Sequence, residues 1–158
     1  MSLAHRTGAA PISVIELTPD LIRPAATLLA QHFWPQSRPI EHQAACEASL
    51  QRLIQWPSAQ FFLATYQAVY AGFASINWGF STSKGQPIVR VQDLFIVPQY
   101  RRRRIAYALL DHLVHLGRQQ GANRLQLETD TQNTPARTLY ASYGFEWFPD
   151  KEISMLFL

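Results

Sequence analysis

The spacing of apolar residues changes character several times along this chain, and each change marks an element. Ile12 to Leu17 is short and rich in β-branched residues, which predicts a strand. Thr18-Pro19-Asp20 has the chemistry of a helix start and predicts a helix running to about Phe33. Trp34 to Pro39 reads as a loop, and a second helix is expected from about Ile40 to Trp56. Gln60 to Tyr66 and Val69 to Phe80 then read as two strands of a hairpin around Gln67-Ala68. After a polar loop at Ser81 to Pro87, Ile88 to Val97 is mostly apolar and β-branched, ending at Pro98; this predicts a strand followed by a break. Ile105, Leu109, Leu113, Val114 and Leu116 then fall near one helical face. Arg124 to Thr129 alternates as a strand, Thr134 to Tyr143 reads as a helix, and Glu146 to Leu158 as a closing hairpin turning near Pro149-Asp150. The order is β-α-α-β-β-β-α-β-α-β-β, an α/β chain without internal repeats.

At 158 residues and 47% hydrophobic content, the chain is long enough to bury one ordinary core. Residues 12–158 are expected to form one domain, with Met1 to Pro11 a loose leader. That leader has no apolar h-region or cleavage pattern, and no run of eighteen apolar residues follows, so neither a signal peptide nor a membrane span is expected. The default compartment is the cytoplasm. Cys46 is the single cysteine, which excludes an internal disulfide, and its place on an apparent helix suggests a small buried side chain. His112 and His115 lie three apart on a helix, but no carboxylate or cysteine set accompanies them, so they read as surface or packing residues and no metal site is expected.

Net charge is +3. Outside one cluster the basic residues are scattered, and no zinc finger, helix-turn-helix or aromatic RNA motif joins them, so no nucleic-acid partner is expected. The cluster itself, Arg101-Arg102-Arg103-Arg104, stands at the head of the helix that carries Ile105. A helix N-terminus has unpaired N–H groups and about half a positive charge, and normally attracts acidic residues. Four arginines there fit an anion seated among them, because N–H donors, dipole and guanidinium groups then act on the same oxygens. A solvated charge run is the plainer reading, but the strand and break before it give the layout of a phosphate cradle.

A second segment adds specificity. Tyr-Arg-x-x-x-Ile-Ala-x-x-Leu-Leu from Tyr100 is followed by Asn-x-x-Ala-x-x-Leu-Tyr-x-x-x-Gly-Phe from Asn133 to Phe145. Together these resemble the acetyl-CoA-binding core of the GNAT (Gcn5-related N-acetyltransferase) superfamily, with some likeness to its polyamine and diamine branch around Gln92-Asp93-Leu94-Phe95. The resemblance implies a GNAT fold, a mixed and largely antiparallel central sheet flanked by helices. Its two central strands, here Ile88 to Val97 and Arg124 to Thr129, splay apart to admit the acyl-CoA. It implies acetyl-CoA as co-substrate and an amine acceptor as partner, with homodimers frequent in the family. Main-chain groups of Leu94, Phe95 and Ile96 would pair with the pantetheine arm. The loop from Arg101 through Arg102, Arg103, Arg104, Ile105 and Ala106 to Tyr107 would hold the pyrophosphate. Asn133 would bond the pantetheine or serve as helix N-cap, and Tyr140 would be the general acid that protonates the departing thiolate. Arg104 stands where the family motif has a glycine, which bears on the pose of the phosphates.

For the base, the acidic residues of the splayed strands, Asp93, Glu128 and Asp130, are the candidates. Gln92 stands where related chains often carry a glutamate and cannot accept a proton, so Asp93 or Glu128 acting through water would serve. Each has an alternative role as a loop or arginine anchor. Acceptor pockets in this family draw on the first two helices and the loop at Ser81 to Pro87. Phe33, Trp34, Trp78 and Phe80 are therefore candidates for contact with the acceptor by cation–π or apolar packing, with ordinary core packing as the alternative. The expected activity is transfer of an acetyl group to a primary amine of a small molecule by direct attack in a ternary complex. The alternatives are a protein N-terminus, lysine or aminoacyl-tRNA acceptor, and a non-catalytic acyl-CoA-binding regulatory module.

Overall fold

A computed structural model of the chain describes residues 11–158, so nearly all of the expected leader lies outside the described residues. Contacts divide the chain into two units, one ending at Leu127 and the other spanning Glu128–Leu158.

The first unit is a five-stranded sheet in the order β1-β2-β3-β4-β5 with helices on both faces. Its strands are β1 (Ile12–Glu16), β2 (Ala59–Tyr66), β3 (Val69–Ser81), β4 (Gln86–Ile96) and β5 (Arg124–Leu127). Neighbours pair antiparallel except β4 and β5, which are parallel and joined through a helix, as parallel strands require. The helices are α1 (Ile22–Phe33), α2 (Gln43–Ile54) and α3 (Ile105–Gln119). Pro19 and Pro39 begin short 3-10 turns ahead of α1 and α2, so both helices start later than their apolar pattern suggests.

Burial on both faces explains why Phe61, Phe62, Leu63 and Ala64 run apolar without alternation. Phe61, Leu63, Phe73 and Phe95 face α1 and α2, where Ala25, Ala26, Leu28, Cys46 and Leu50 cover them. Phe62, Ala64, Ala74, Ile76, Val89, Val91 and Ile96 face Ile105, Leu109 and Leu113 of α3. Gly72 is fixed by contact: a Cβ there would stand 2.4 Å from the Phe95 carbonyl oxygen on the neighbouring strand.

The hairpin expected around Gln67-Ala68 is present, and β3 and β4, read in the sequence as two strands separated by a polar loop, form a second one. Gln67 and Ala68 both take positive φ, 50° and 62°, the backbone of a tight turn matched to strand twist. The expected loop at Ser81 to Pro87 is shorter than its polar composition implies. Ser81 pairs with Gln86 and Phe80 with Pro87, leaving Thr82 to Gly85 as the turn.

The second unit holds one helix, α4 (Thr134–Tyr143). Asn133 caps it by accepting from the Ala136 N–H at 3.2 Å, and Gly144 ends it at φ 115°, a conformation suited to glycine. The closing hairpin expected at Glu146 to Leu158 is absent: the segment forms no strand and its residues are exposed. Its apolar residues form a strand-like run, but nothing among the described residues pairs with them.

Candidate active site

Position 92 decides the local geometry of β4. Ser75 of β3 faces Asp93, while the next residue, Ile76, faces Val91, so Gln92 is an extra residue, a β-bulge. A bulge bends its strand and interrupts pairing. On the other side of β4, pairing with β5 covers only Ile88 to Val91, against Arg124 to Leu127. From Gln92 to Ile96 the β5 side of β4 has no strand partner among the described residues, which is the parting of two central strands that the sequence resemblance implied. The Val97 N–H donates to the Ala71 carbonyl of β3, so strand alternation points the main-chain groups of Phe95 toward β3 and those of Leu94 and Ile96 away from it. The Leu94 groups and the Ile96 N–H are therefore open to a ligand that can pair like a strand, while the Ile96 carbonyl is held from the arginine loop.

The strand leads into the arginine loop. The four arginines do not open α3, as the sequence suggested, but precede it: the helix starts at Ile105 and Arg104 is its N-cap. Arg102 and Arg104 hold left-handed backbones, φ 60° and 64°. The alternation turns successive N–H groups toward one side, as in an anion-binding nest. The Ala108 N–H donates to the Arg104 carbonyl at 3.1 Å, so the N–H groups of Ile105 and Ala106 have no acceptor within the helix. The guanidinium groups are held apart. Arg101 Nε donates to the Ile96 carbonyl at 3.0 Å, Arg103 Nη1 donates to the Tyr66 hydroxyl at 3.2 Å, and Arg104 lies 4.7 Å over the Tyr107 ring. Open strand edge, basic loop and helix N-terminus suit an elongated ligand with an amide-bearing arm and a diphosphate, so these residues fit CoA.

The α1–α2 face of the same stretch of β4 carries a cavity of about 420 Å³. Leu29, Phe33 and Trp34 of α1 and its end, Ala45, Cys46, Ser49, Leu50 and Leu53 of α2, and Phe61 of β2 form most of its wall. Ser75 and Asp93 supply its polar floor, and Asp93 is the one charged residue among the lining. Asp93 accepts a 2.6 Å hydrogen bond from the Ser75 hydroxyl, and its other oxygen lies 3.7 Å from His32 Nε2. That separation is longer than a direct hydrogen bond, and the contact is an ion pair only when the imidazole carries a proton. Burial raises the carboxyl's pKa, but His32 and the Ser75 hydrogen bond outweigh it, so the net shift is downward and the group is ionised at neutral pH. Cys46 behaves as expected, buried, with burial pushing its thiol up.

Of the four aromatic residues expected to meet the acceptor, Phe33 and Trp34 line this cavity, 51% and 41% exposed. Trp34 is stacked on His42 at 4.2 Å. Trp78 and Phe80 do not line it. Both follow Ile76 at strand period on the face opposite Ser75; Trp78 packs with the α3 core and donates to Gln60 Oε1 at 2.8 Å, and Phe80 is 61% exposed. His112 rests on Phe62, and burial lowers its pKa, in keeping with a packing role.

In the second unit, Tyr140 is buried against Phe145 in an edge contact at 5.5 Å, and burial raises its pKa above the ordinary phenol value of 10.0. Glu128 and Asp130 are exposed; Asp130 accepts from the Gln132 N–H at 2.8 Å and so anchors the turn before α4. The sequence reading missed Ser75, the partner that holds Asp93. No local signal marks it, because the pairing follows from hairpin register plus a one-residue bulge.

Sheet, open β4 edge and nest-like loop define an enzyme that handles an acyl-CoA. The sequence profile of the Acetyltransferase (GNAT) family matches residues 26–145, and the chain belongs to that family. It is an acyl-CoA-dependent N-acetyltransferase with acetyl-CoA as co-substrate. It is similar to aminoglycoside N(6')-acetyltransferase type 1 of Salmonella typhimurium, 25% identical over 121 residues, or 75% of this chain and 81% of that one. An N-alpha-acetyltransferase of Sulfurisphaera tokodaii is 32% identical over 105 residues, 62% of this chain and 60% of the other. Among solved structures, AAC(6')-Iy in complex with a bisubstrate analog shares the fold at TM-score 0.75 with 19% identity, covering 94% of this chain and 98% of its own. No described helix is long and apolar enough to cross a membrane.

Proposed function

We infer that this enzyme acetylates the primary amine of a small molecule, in the cytoplasm, and that the cavity floored by Asp93 receives the acceptor. The observation that carries the reading is the coincidence of two features on one stretch of β4. One edge from Gln92 to Ile96 lacks a strand partner among the described residues, and the face toward α1 and α2 bears a partly buried, ionised carboxylate. A donor thioester laid along the edge and an amine held at Asp93 would approach each other across the bulge.

Acetyl-CoA supplies the activated acetyl group; the chain supplies position and proton transfer. Asp93 pairs with the incoming ammonium and takes its proton, directly or through one water, leaving a neutral amine able to form the new C–N bond. Ser75 fixes the carboxylate's orientation, and His32 stands next to it as an outlet for charge. Tyr140 gives its phenolic proton to sulfur as the C–S bond breaks, and its raised pKa keeps that proton in place at neutral pH. Main-chain donors at Ile105 and Ala106, with the arginines before them, hold the diphosphate, and Asn133 adds a contact to the arm without giving up its capping bond. Residues 12–158 act together as one catalytic domain in this reading.

The test is thiol release from acetyl-CoA over polyamines, aminoglycosides, arylalkylamines, amino acids and short peptides, beside Tyr140→Phe. Turnover on free small amines that collapses in the variant is expected. Turnover confined to peptides would replace this reading with a macromolecular acceptor, and tight acetyl-CoA binding with no turnover on any amine would leave a binding module.

A further inference from the structure

The cavity says more about its occupant than that it is an amine. Apart from the Ser49 and Ser75 hydroxyls and the Asp93 carboxylate, its lining is apolar or aromatic side chain. A ligand that filled it would meet one negative charge, at Asp93, and otherwise the apolar or aromatic faces of Leu50, Leu53, Phe61, Phe33 and Trp34. The nearest acid in the α1–α2 connection, Glu41, is bound to Arg38 at 3.0 Å. A first ammonium therefore finds a partner at Asp93, whereas a second, or a ring of hydroxyls, would lose water without a matching group, which is costly. At about 420 Å³ the space is in the range that encloses a compact organic molecule.

We propose that the acceptor is a compact monoamine with an apolar body, an alkyl- or arylalkylamine carrying a single positive charge, in contrast to the polyamines that the sequence around Asp93 suggested and to the aminoglycosides named for one relative. The inference rests on the reading of the cavity as an acceptor site. Trp34 and Phe33, each about half exposed, border the cavity and offer ring faces to the apolar body, Trp34 held flat by its stack on His42, and Asp93 selects the ammonium. Specificity comes from rejection as much as attraction: the cavity has nothing to offer a second charge.

The experiment compares matched pairs at saturating acetyl-CoA: butylamine with 1,4-diaminobutane, and 2-phenylethylamine with kanamycin. The expected result is kcat/KM at least tenfold higher for the monoamine in each pair. Ser49→Asp, which places a second carboxylate on the wall at an exposed α2 position, should shrink the butylamine to 1,4-diaminobutane ratio severalfold. Trp34→Ala should reduce turnover of 2-phenylethylamine more than that of butylamine. Equal or better use of the diamine or of kanamycin by the unaltered enzyme overturns the proposal while leaving a small-amine acetyltransferase. Activity on peptides alone overturns the acceptor reading beneath it.

Discussion

In the proposed function, the two sides of β4 solve two binding problems by different means. On the side facing away from β3, recognition rests on backbone: an unpaired strand edge, two left-handed residues and the N–H groups that begin α3. On the α1–α2 face it rests on side chains, one carboxylate held by Ser75 and His32 beneath a wall of leucine and aromatic residues. A backbone site tolerates many side-chain identities, which is how Arg104 can occupy a glycine position. A side-chain site changes its ligand when one wall residue changes. The first suits a fixed co-substrate, the second a variable acceptor.

The largest effect should come from neither side. Tyr140→Phe removes the proposed acid for sulfur and is expected to lower kcat by about 100-fold or more, with acetyl-CoA affinity by calorimetry nearly unchanged. Asp93→Asn tests the side-chain face: kcat/KM for the amine should fall about 100-fold, with KM for acetyl-CoA changing little. If both constants moved together, the division between the two sides would fail. Arg102→Glu with Arg103→Glu tests the backbone side, where charge-assisted contacts of about 1.5–3 kcal/mol should raise KM for acetyl-CoA about tenfold or more and leave the order of amine preference intact.

Proton states sharpen the same contrast. Asp93 has a lowered pKa, so its ionised form and the stability it contributes are present above the usual carboxylate range and are lost only as pH falls below it. Tyr140 has a raised pKa and keeps its proton beyond pH 10.0. Between about pH 6 and 9 neither group should titrate, and a kcat profile under saturation should show no inflection belonging to either. A Tyr140-dependent basic limb below pH 9 would contradict the burial argument.

The smallest effect isolates backbone from side chain at one residue. Arg104→Gly relieves a left-handed conformation costing about 1–2 kcal/mol but gives up the contact with the Tyr107 ring and some chain stiffness. The net expectation is a modest stabilisation of about 0.5–1 kcal/mol, read as a rise of a few degrees in Tm, with acetyl-CoA binding retained. A loss of binding would mean that the Arg104 guanidinium, and not its backbone, meets the phosphates.

Much of the architecture was written in local pattern. Alternating and continuous apolar runs marked β1 to β5, and α4 matched its predicted limits because Asn133 and Gly144 are both end signals that act within a few residues. The closing hairpin failed on the same logic, since the apolar run in Ile153 to Leu158 is a local signal that needs a partner strand to become structure. Tyr140, Asn133 and the arginine loop were legible as motif. Asp93 was legible as a candidate, but not as the favoured one over Glu128 and Asp130, which proved exposed.

What the sequence alone determined is the order of elements from β1 to α4 and the family motifs at the proposed cofactor end, because caps, turns and a basic loop depend on neighbours close in the chain. Only the tertiary structure decided the acceptor end. The bulge at Gln92 sets the register of β4 against β3 and so joins Asp93 to Ser75, while plain alternation along β3 turns Trp78 and Phe80 to the other face. The packing of α1 and α2 over that face then brings together Leu29, Cys46, Leu50 and Phe61, far apart in the chain, as the walls of one cavity. Register and packing are contacts between distant residues, and no local pattern specifies them.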